Sequence, residues 1–102
     1  MNEQQRKVYL KKAFWDTNCS SDDLSLILEK KKQNVMGVTL AKLYLRLLET
    51  YSWHKLIDIV PEEQLQEMLS DDIINNLRSE KLRIRFHNVA ELLRRSTLSP
   101  AG

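Results

Sequence analysis

The chain has 102 residues, 42% of them hydrophobic and 29% charged, with a formal net charge of +2. That size predicts one domain with a single core, and that balance is too apolar for a disordered chain. Two Gly and two Pro leave too few turn residues for an all-β fold, no apolar run is long enough to span a bilayer, and the opening residues lack the apolar core of a signal peptide.

Cys19 is the one cysteine, which excludes an intrachain disulfide and predicts a reducing, cytoplasmic setting. Charge is spread unevenly. Residues 1–48 carry nine Lys/Arg against five Asp/Glu, residues 49–72 one against seven, and residues 73–102 six against two. Such asymmetry suits a bipolar interaction surface, and it equally fits short helices that alternate in charge by chance.

Residues 2–13 predict a first helix, with Val8, Tyr9, Ala13 and the stem of Lys12 as its apolar edge. It leads into Phe14-Trp15-Asp16 and a polar turn. An aromatic pair at a helix exit has two uses: an anchor pinning the terminus to the core, or an exposed contact for a partner. Ser20 or Ser21 can cap a second helix with Asp22 and Asp23 in its first turn and Leu24, Ile27 and Leu28 buried. Lys30, Lys31 and Lys32 fall at its end as a solvated cationic terminus or a minimal phosphate patch, and Gly37 stops the segment.

The stretch 40–51 carries the clearest pattern. Leu40, Leu43, Tyr44, Leu47, Leu48 and Tyr51 form one broad helical stripe, with Thr39 as N-cap. A stripe this wide predicts a central helix touching several neighbours. Ser52 can cap a short fourth helix with Trp53, Leu56, Ile57 and Val60 on one face. Pro61 ends it and suits the first position of a fifth, with Leu65, Met68 and Leu69 inward. After the capping signal Ser70-Asp71-Asp72, the clusters Ile73, Ile74, Leu77 and Leu82, Phe86, Val89, Leu93 do not share a phase, which predicts a break near Ser79. The expected fold is therefore all-α, a compact bundle of five to six short helices over residues 1–95, with 96–102 as a flexible C-terminal tail.

Catalytic patterns are sparse. His54 and His87 sit on separate helices, and neither stands at i, i+4 from another ligand. There is no Gly-rich phosphate loop, and the paired acids stand at helix starts, where dipole effects account for them. Cys19 precedes a candidate helix N-terminus, a placement that lowers a thiol pKa, but no base is positioned beside it in the sequence. The expectation is a non-enzymatic protein with no metal or cofactor. Two binding modes remain open. Arg78, Lys81, Arg83, Arg85, Arg94 and Arg95 could neutralise phosphates in a nucleic acid, although a bundle helix with a cationic outer face would look the same. Phe14, Trp15 and Trp53 are the candidate anchors for a protein partner. The seam Leu82-Phe86-Val89-Leu93 either closes the bundle or pairs with a second copy as a homodimer.

The motif Phe14-Trp15-Asp16, the segment Leu47-Leu48-Glu49-Thr50-Tyr51 followed by Leu56 and Ile57, and the later Leu69-Ser70-Asp71-Asp72 carry a resemblance. Together they resemble a family of small, uncharacterised bacterial helical proteins encoded beside abortive-infection-type nucleotidyltransferase toxins. The likeness covers roughly residues 14–77. It implies an antitoxin or toxin-partner role and carries over no functional residue. This chain departs from the pattern in the turn after Trp15-Asp16, and its basic final helix lies outside it.

Overall fold

The computed structural model describes residues 2–98, with side chains described through residue 95. Seven α-helices lie among the described residues: α1 (Glu3–Ala13), α2 (Ser21–Leu28), α3 (Leu40–Thr50), α4 (Trp53–Ile59), α5 (Leu65–Met68), α6 (Asp71–Asn75) and α7 (Glu80–Leu98). The all-α bundle is thus observed, with more and shorter helices in its middle and one long helix at its end. Of the expected tail, residues 96–98 continue α7, and residues 99–102 lie outside the described residues.

The stripe of α3 organises the bundle. Leu43, Tyr44, Leu47 and Leu48 are buried, and Leu40 and Tyr51 pack against the same core. Through them α3 meets α1, α2, α4, α5 and α6. Thr39 caps it, its side chain accepting from the Lys42 N–H at 3.3 Å. Each fully buried leucine contributes about 1.5–3 kcal/mol.

The start of α1 is closed by a reciprocal cap. Asn2 accepts from the Gln5 N–H at 2.8 Å, and the Gln5 side chain accepts from the Asn2 N–H. Of the predicted edge, Ala13 is buried and Tyr9 packs against the core, Leu10 joins them, and Val8 is exposed. Ser20 caps α2, accepting from the Asp23 N–H at 3.1 Å. The helix ends with Lys30 in the left-handed region at φ 65°, a position glycine usually takes.

Gly37, expected as a helix stop, is instead a turn residue of a hairpin. Strands β1 (Asn34–Val35) and β2 (Val38–Thr39) pair antiparallel, Val35 opposite Val38. Met36 and Gly37 form the two-residue loop at φ 54° and 86°. Positive φ at both positions is the type I′ pattern, which favours Asn-Gly because Asn and Gly enter the left-handed region cheaply. With methionine there, the sequence lacks the Asn-Gly signature of such a turn.

In α4 the inward face centres on Leu56, Ile59 and Val60, so Ile57 is exposed rather than buried. Pro61 precedes a single 3-10 turn (Glu62–Gln64) that feeds α5. The break near Ser79 is present: α6 ends at Asn75, and the Ser79 hydroxyl accepts from the Leu82 N–H at 3.3 Å to open α7. In α7, Phe86 and Ala90 are buried, with Leu82, Val89 and Leu93 half-buried against the core, so the heptad-like seam closes the bundle onto α5 and α6.

A buried polar network ties the middle of the chain together. The Tyr44 hydroxyl lies 2.6 Å from Glu67 Oε2 and 3.1 Å from Gln64 Oε1, while Gln64 Nε2 donates to the Leu28 carbonyl at 2.9 Å. Lys30 Nζ reaches Glu67 Oε1 at 3.0 Å. Burial, with Glu67 beside it, pushes the Tyr44 phenol pKa up. The hydrogen bond from Tyr44, assisted by Lys30, holds the Glu67 carboxyl below its usual range against the opposing effect of partial burial.

Two predictions follow from these features. Met36→Asn keeps the turn and relieves its strain, so it should stabilise the protein by about 1 kcal/mol, about 4–8 °C in Tm. An unchanged or lower Tm in calorimetry would rule that out. Tyr44→Phe should cost about 1–3 kcal/mol at neutral pH, because Glu67 loses its donor and Gln64 its contact with the hydroxyl. The folded Glu67 pKa is depressed, so the bond's contribution is present above the unfolded value of about 4.3 and is lost as pH falls through the folded one. Urea unfolding should therefore show the Tyr44→Phe deficit narrowing in acid, and a pH-independent deficit would contradict the assignment.

Candidate interaction face on helix α1

The end of α1 separates the aromatic pair. Phe14 is 2% exposed and belongs to the core, whereas Trp15 is 78% exposed. Phe14 is the C-cap of α1 and leaves the helical path at φ −120° and ψ 34°, so the chain turns there and Trp15 faces solvent. Phe14 is thereby corrected from a candidate partner contact to a core anchor. Trp53 is half-buried and packs against the core.

Trp15 stands on a braced support. Lys11 Nζ donates to the carbonyls of Thr17 at 3.0 Å and Cys19 at 2.8 Å, and the Thr17 hydroxyl donates to the Phe14 carbonyl at 2.8 Å. Arg46 of α3 donates to the Ala13 carbonyl at 3.1 Å and to Asp16 Oδ1 at 2.9 Å, with its guanidinium 4.9 Å from the Phe14 ring centre. The bond from Arg46 holds the Asp16 carboxyl below its usual pKa.

Val8 lies two turns before Trp15 and is 52% exposed. With Lys12 it forms a ridge between two grooves. One, of about 470 Å³, is bounded by Val8, Lys11, Lys12 and Trp15. The other, of about 430 Å³, lies between α1 and α4 against Tyr9, Lys55 and Asp58. Tyr9 stacks edge-on against Tyr51 with ring centres 5.7 Å apart, and its ring receives Lys55 Nζ at 4.6 Å and Lys12 Nζ at 5.5 Å from the centre. Sequence reasoning had assigned Val8 to the buried edge and passed over Lys55. The available signal was the seven-residue spacing of Val8 and Trp15, off the phase of Leu10, Ala13 and Phe14.

The cations of the last helix do not form one surface. Eleven residues make about three turns, so 83 and 94 share one side of α7, while 81, 85 and 95 share another. Arg83 is half-buried and donates to the Leu77 carbonyl, closing the break before α7. Arg95 pairs with Glu91 at 2.9 Å. Arg94 lines a small pocket of about 220 Å³ with Leu69, Ser70 and Ala90. Arg78 lines a separate groove of about 510 Å³ between the hairpin and α3, near Met36, Lys42 and Arg46. Lys81 and Arg85 are exposed on α7 beside the exposed Ile84.

The lysine run after α2 is matched by acids: Lys30 to Glu67, Lys31 to Glu29 at 3.1 Å, and Lys32 to Asp23 at 2.9 Å. His87 lies 3.3 Å from Asn75 Oδ1 and 3.8 Å from Asp71 Oδ1, and His54 is exposed. Among the described residues no group of three or more His, Cys, Asp or Glu side chains is placed to hold a metal ion, and no helix is long and apolar enough to cross a membrane.

Cys19 corrects another expectation. Burial, with Asp23 nearby, pushes its thiol pKa up rather than down. Native protein should accordingly react with a thiol probe at least about tenfold more slowly than unfolded protein. Comparable rates in an absorbance assay would contradict the burial. No protein-family model matches this chain, and no match emerged among curated proteins or solved structures.

Proposed function

We propose that the chain is a non-enzymatic binding module that docks another protein on the α1 face around Trp15. The observation that carries this reading is the exposure of Trp15 beside Val8, on a backbone fixed by Lys11, Thr17 and Arg46. A large rigid aromatic in solvent is the side chain that most often supplies a dominant share of interface energy, and a braced backbone lowers the entropy lost on docking. In the two-gene setting implied by the resemblance of residues 14–77, the partner is a toxin and this chain its antitoxin-like companion.

The nucleic-acid reading has less support, since Arg83 and Arg95 already have protein partners and the cations of α7 fall on different sides. Both readings meet in one experiment. Tagged protein is used to capture partners from its host, with a parallel arm treated with nuclease. A protein retained after nuclease should bind Trp15→Ala at least about 30-fold more weakly, the equivalent of about 2 kcal/mol. The folded stability of that variant should change by less than about 0.5 kcal/mol. Capture that ignores Trp15→Ala, or that vanishes with nuclease and with Lys81→Glu and Arg85→Glu, would reject docking on α1.

A further inference from the structure

Resting on that docking reading, we infer that the partner segment seated on α1 is acidic and carries aliphatic side chains. The charges around the two grooves are unbalanced. Lys7 is matched by Asp22 at 2.9 Å and by Glu3 at 3.9 Å. Lys11 is held by two carbonyls, which fix its position without pairing it to a carboxylate. Lys12 and Lys55 lie over the Tyr9 ring, and Lys55 also donates to the Tyr9 hydroxyl at 3.3 Å. Among the described residues none of these three ammonium groups has a carboxylate at ion-pair distance, while Asp58 is the one acid lining either groove.

These cations surround an apolar strip, Val8 and Trp15, that is open to solvent. An occupant must therefore cover apolar surface at its centre and present negative charge at its edges, the ordinary layout of an interface with an apolar middle and a polar rim. An amphipathic segment with leucines between glutamates or aspartates meets both demands, placing aliphatic groups in the grooves on either side of the Val8–Lys12 ridge. A nucleic-acid backbone meets only the charge, and neither groove is lined by an arginine. A lipid surface calls for a continuous apolar helix face, but Leu10 and Ala13 of α1 are turned into the core.

The test uses the full chain with Trp53→Phe, which leaves Trp15 as the only tryptophan emitter. The probe is a synthetic amphipathic peptide of glutamate and leucine. Parallel arms use the same peptide with its glutamates changed to lysine, the same peptide with its leucines changed to serine, phosphatidylglycerol vesicles, and duplex DNA. The expected result is a saturable blue shift of Trp15 emission with the glutamate–leucine peptide alone, weakened at least about tenfold by Lys12→Glu with Lys55→Glu. Lys12→Glu by itself, at an exposed site, serves if the double variant unfolds. Failure of that peptide to saturate, equal binding of the lysine peptide, or tighter binding of vesicles or DNA would overturn the inference. If it fails while Trp15→Ala still loses the partner captured from the host, docking on α1 stands and only the acidic character falls. If the Trp15 dependence is also absent, both fall.

Discussion

A buried phenol sets the terms for this fold. Tyr44 sits on the inward stripe of α3, and a hydroxyl removed from water must find partners or cost roughly the free energy of a lost hydrogen bond. Its partners, Gln64 and Glu67, come from the 3-10 turn and α5, while Gln64 reaches on to the Leu28 carbonyl and Glu67 to Lys30. One side chain thus fixes the end of α2, the middle of α3 and the start of α5 relative to one another. Apolar burial along α3 supplies the larger energy. The polar network selects one arrangement of three short elements that are individually too brief to be stable as isolated helices.

What was legible in the sequence depended on how long each pattern ran. The six-residue stripe of α3 spans three turns, and no other backbone state satisfies it. The break before α7 was legible as a loss of phase, because two apolar clusters out of step cannot share one straight helix. On the α1 edge Ala13 and Tyr9 were placed rightly and Val8 was not, since Val8, Tyr9 and Leu10 are all apolar and a single turn of pattern does not say which of them faces the core. The hairpin was hidden for a different reason. Its strands are two residues each, too short for alternation, and its turn places Met36 where Asn would have announced it.

The site was legible in part. Trp15 was identified as an anchor of one kind or the other, and the choice between core and surface depended on Phe14, whose ring packs under the Arg46 guanidinium. That contact joins residues 32 positions apart, beyond the reach of local periodicity. The same holds for Lys55, which joins the α1 face only because α4 folds back against Tyr9. On α7 the limit was geometric. A run of arginines reads as one patch in a linear sequence, and helical rotation distributes it over several faces, one member closing the preceding helix at Leu77.

The arrangement at the end of α1 explains how a small domain can keep a large aromatic in water at little structural risk. Phe14 supplies the anchoring that a helix exit needs, so Trp15 is released from the core without loosening the chain. The loop that follows is held by Lys11 on the carbonyls of Thr17 and Cys19, and Arg46 ties the last residue of α1, at the Ala13 carbonyl, to Asp16. These bonds fix the backbone beside Trp15 while leaving the ring exposed. An indole so placed has few torsions to freeze on docking, and its surroundings are already ordered. Exposure of this kind raises the hazard of non-specific apolar contact. The lysines around it counter that hazard, since like-charged or neutral surfaces gain nothing from approaching them and only a surface of opposite sign is drawn in.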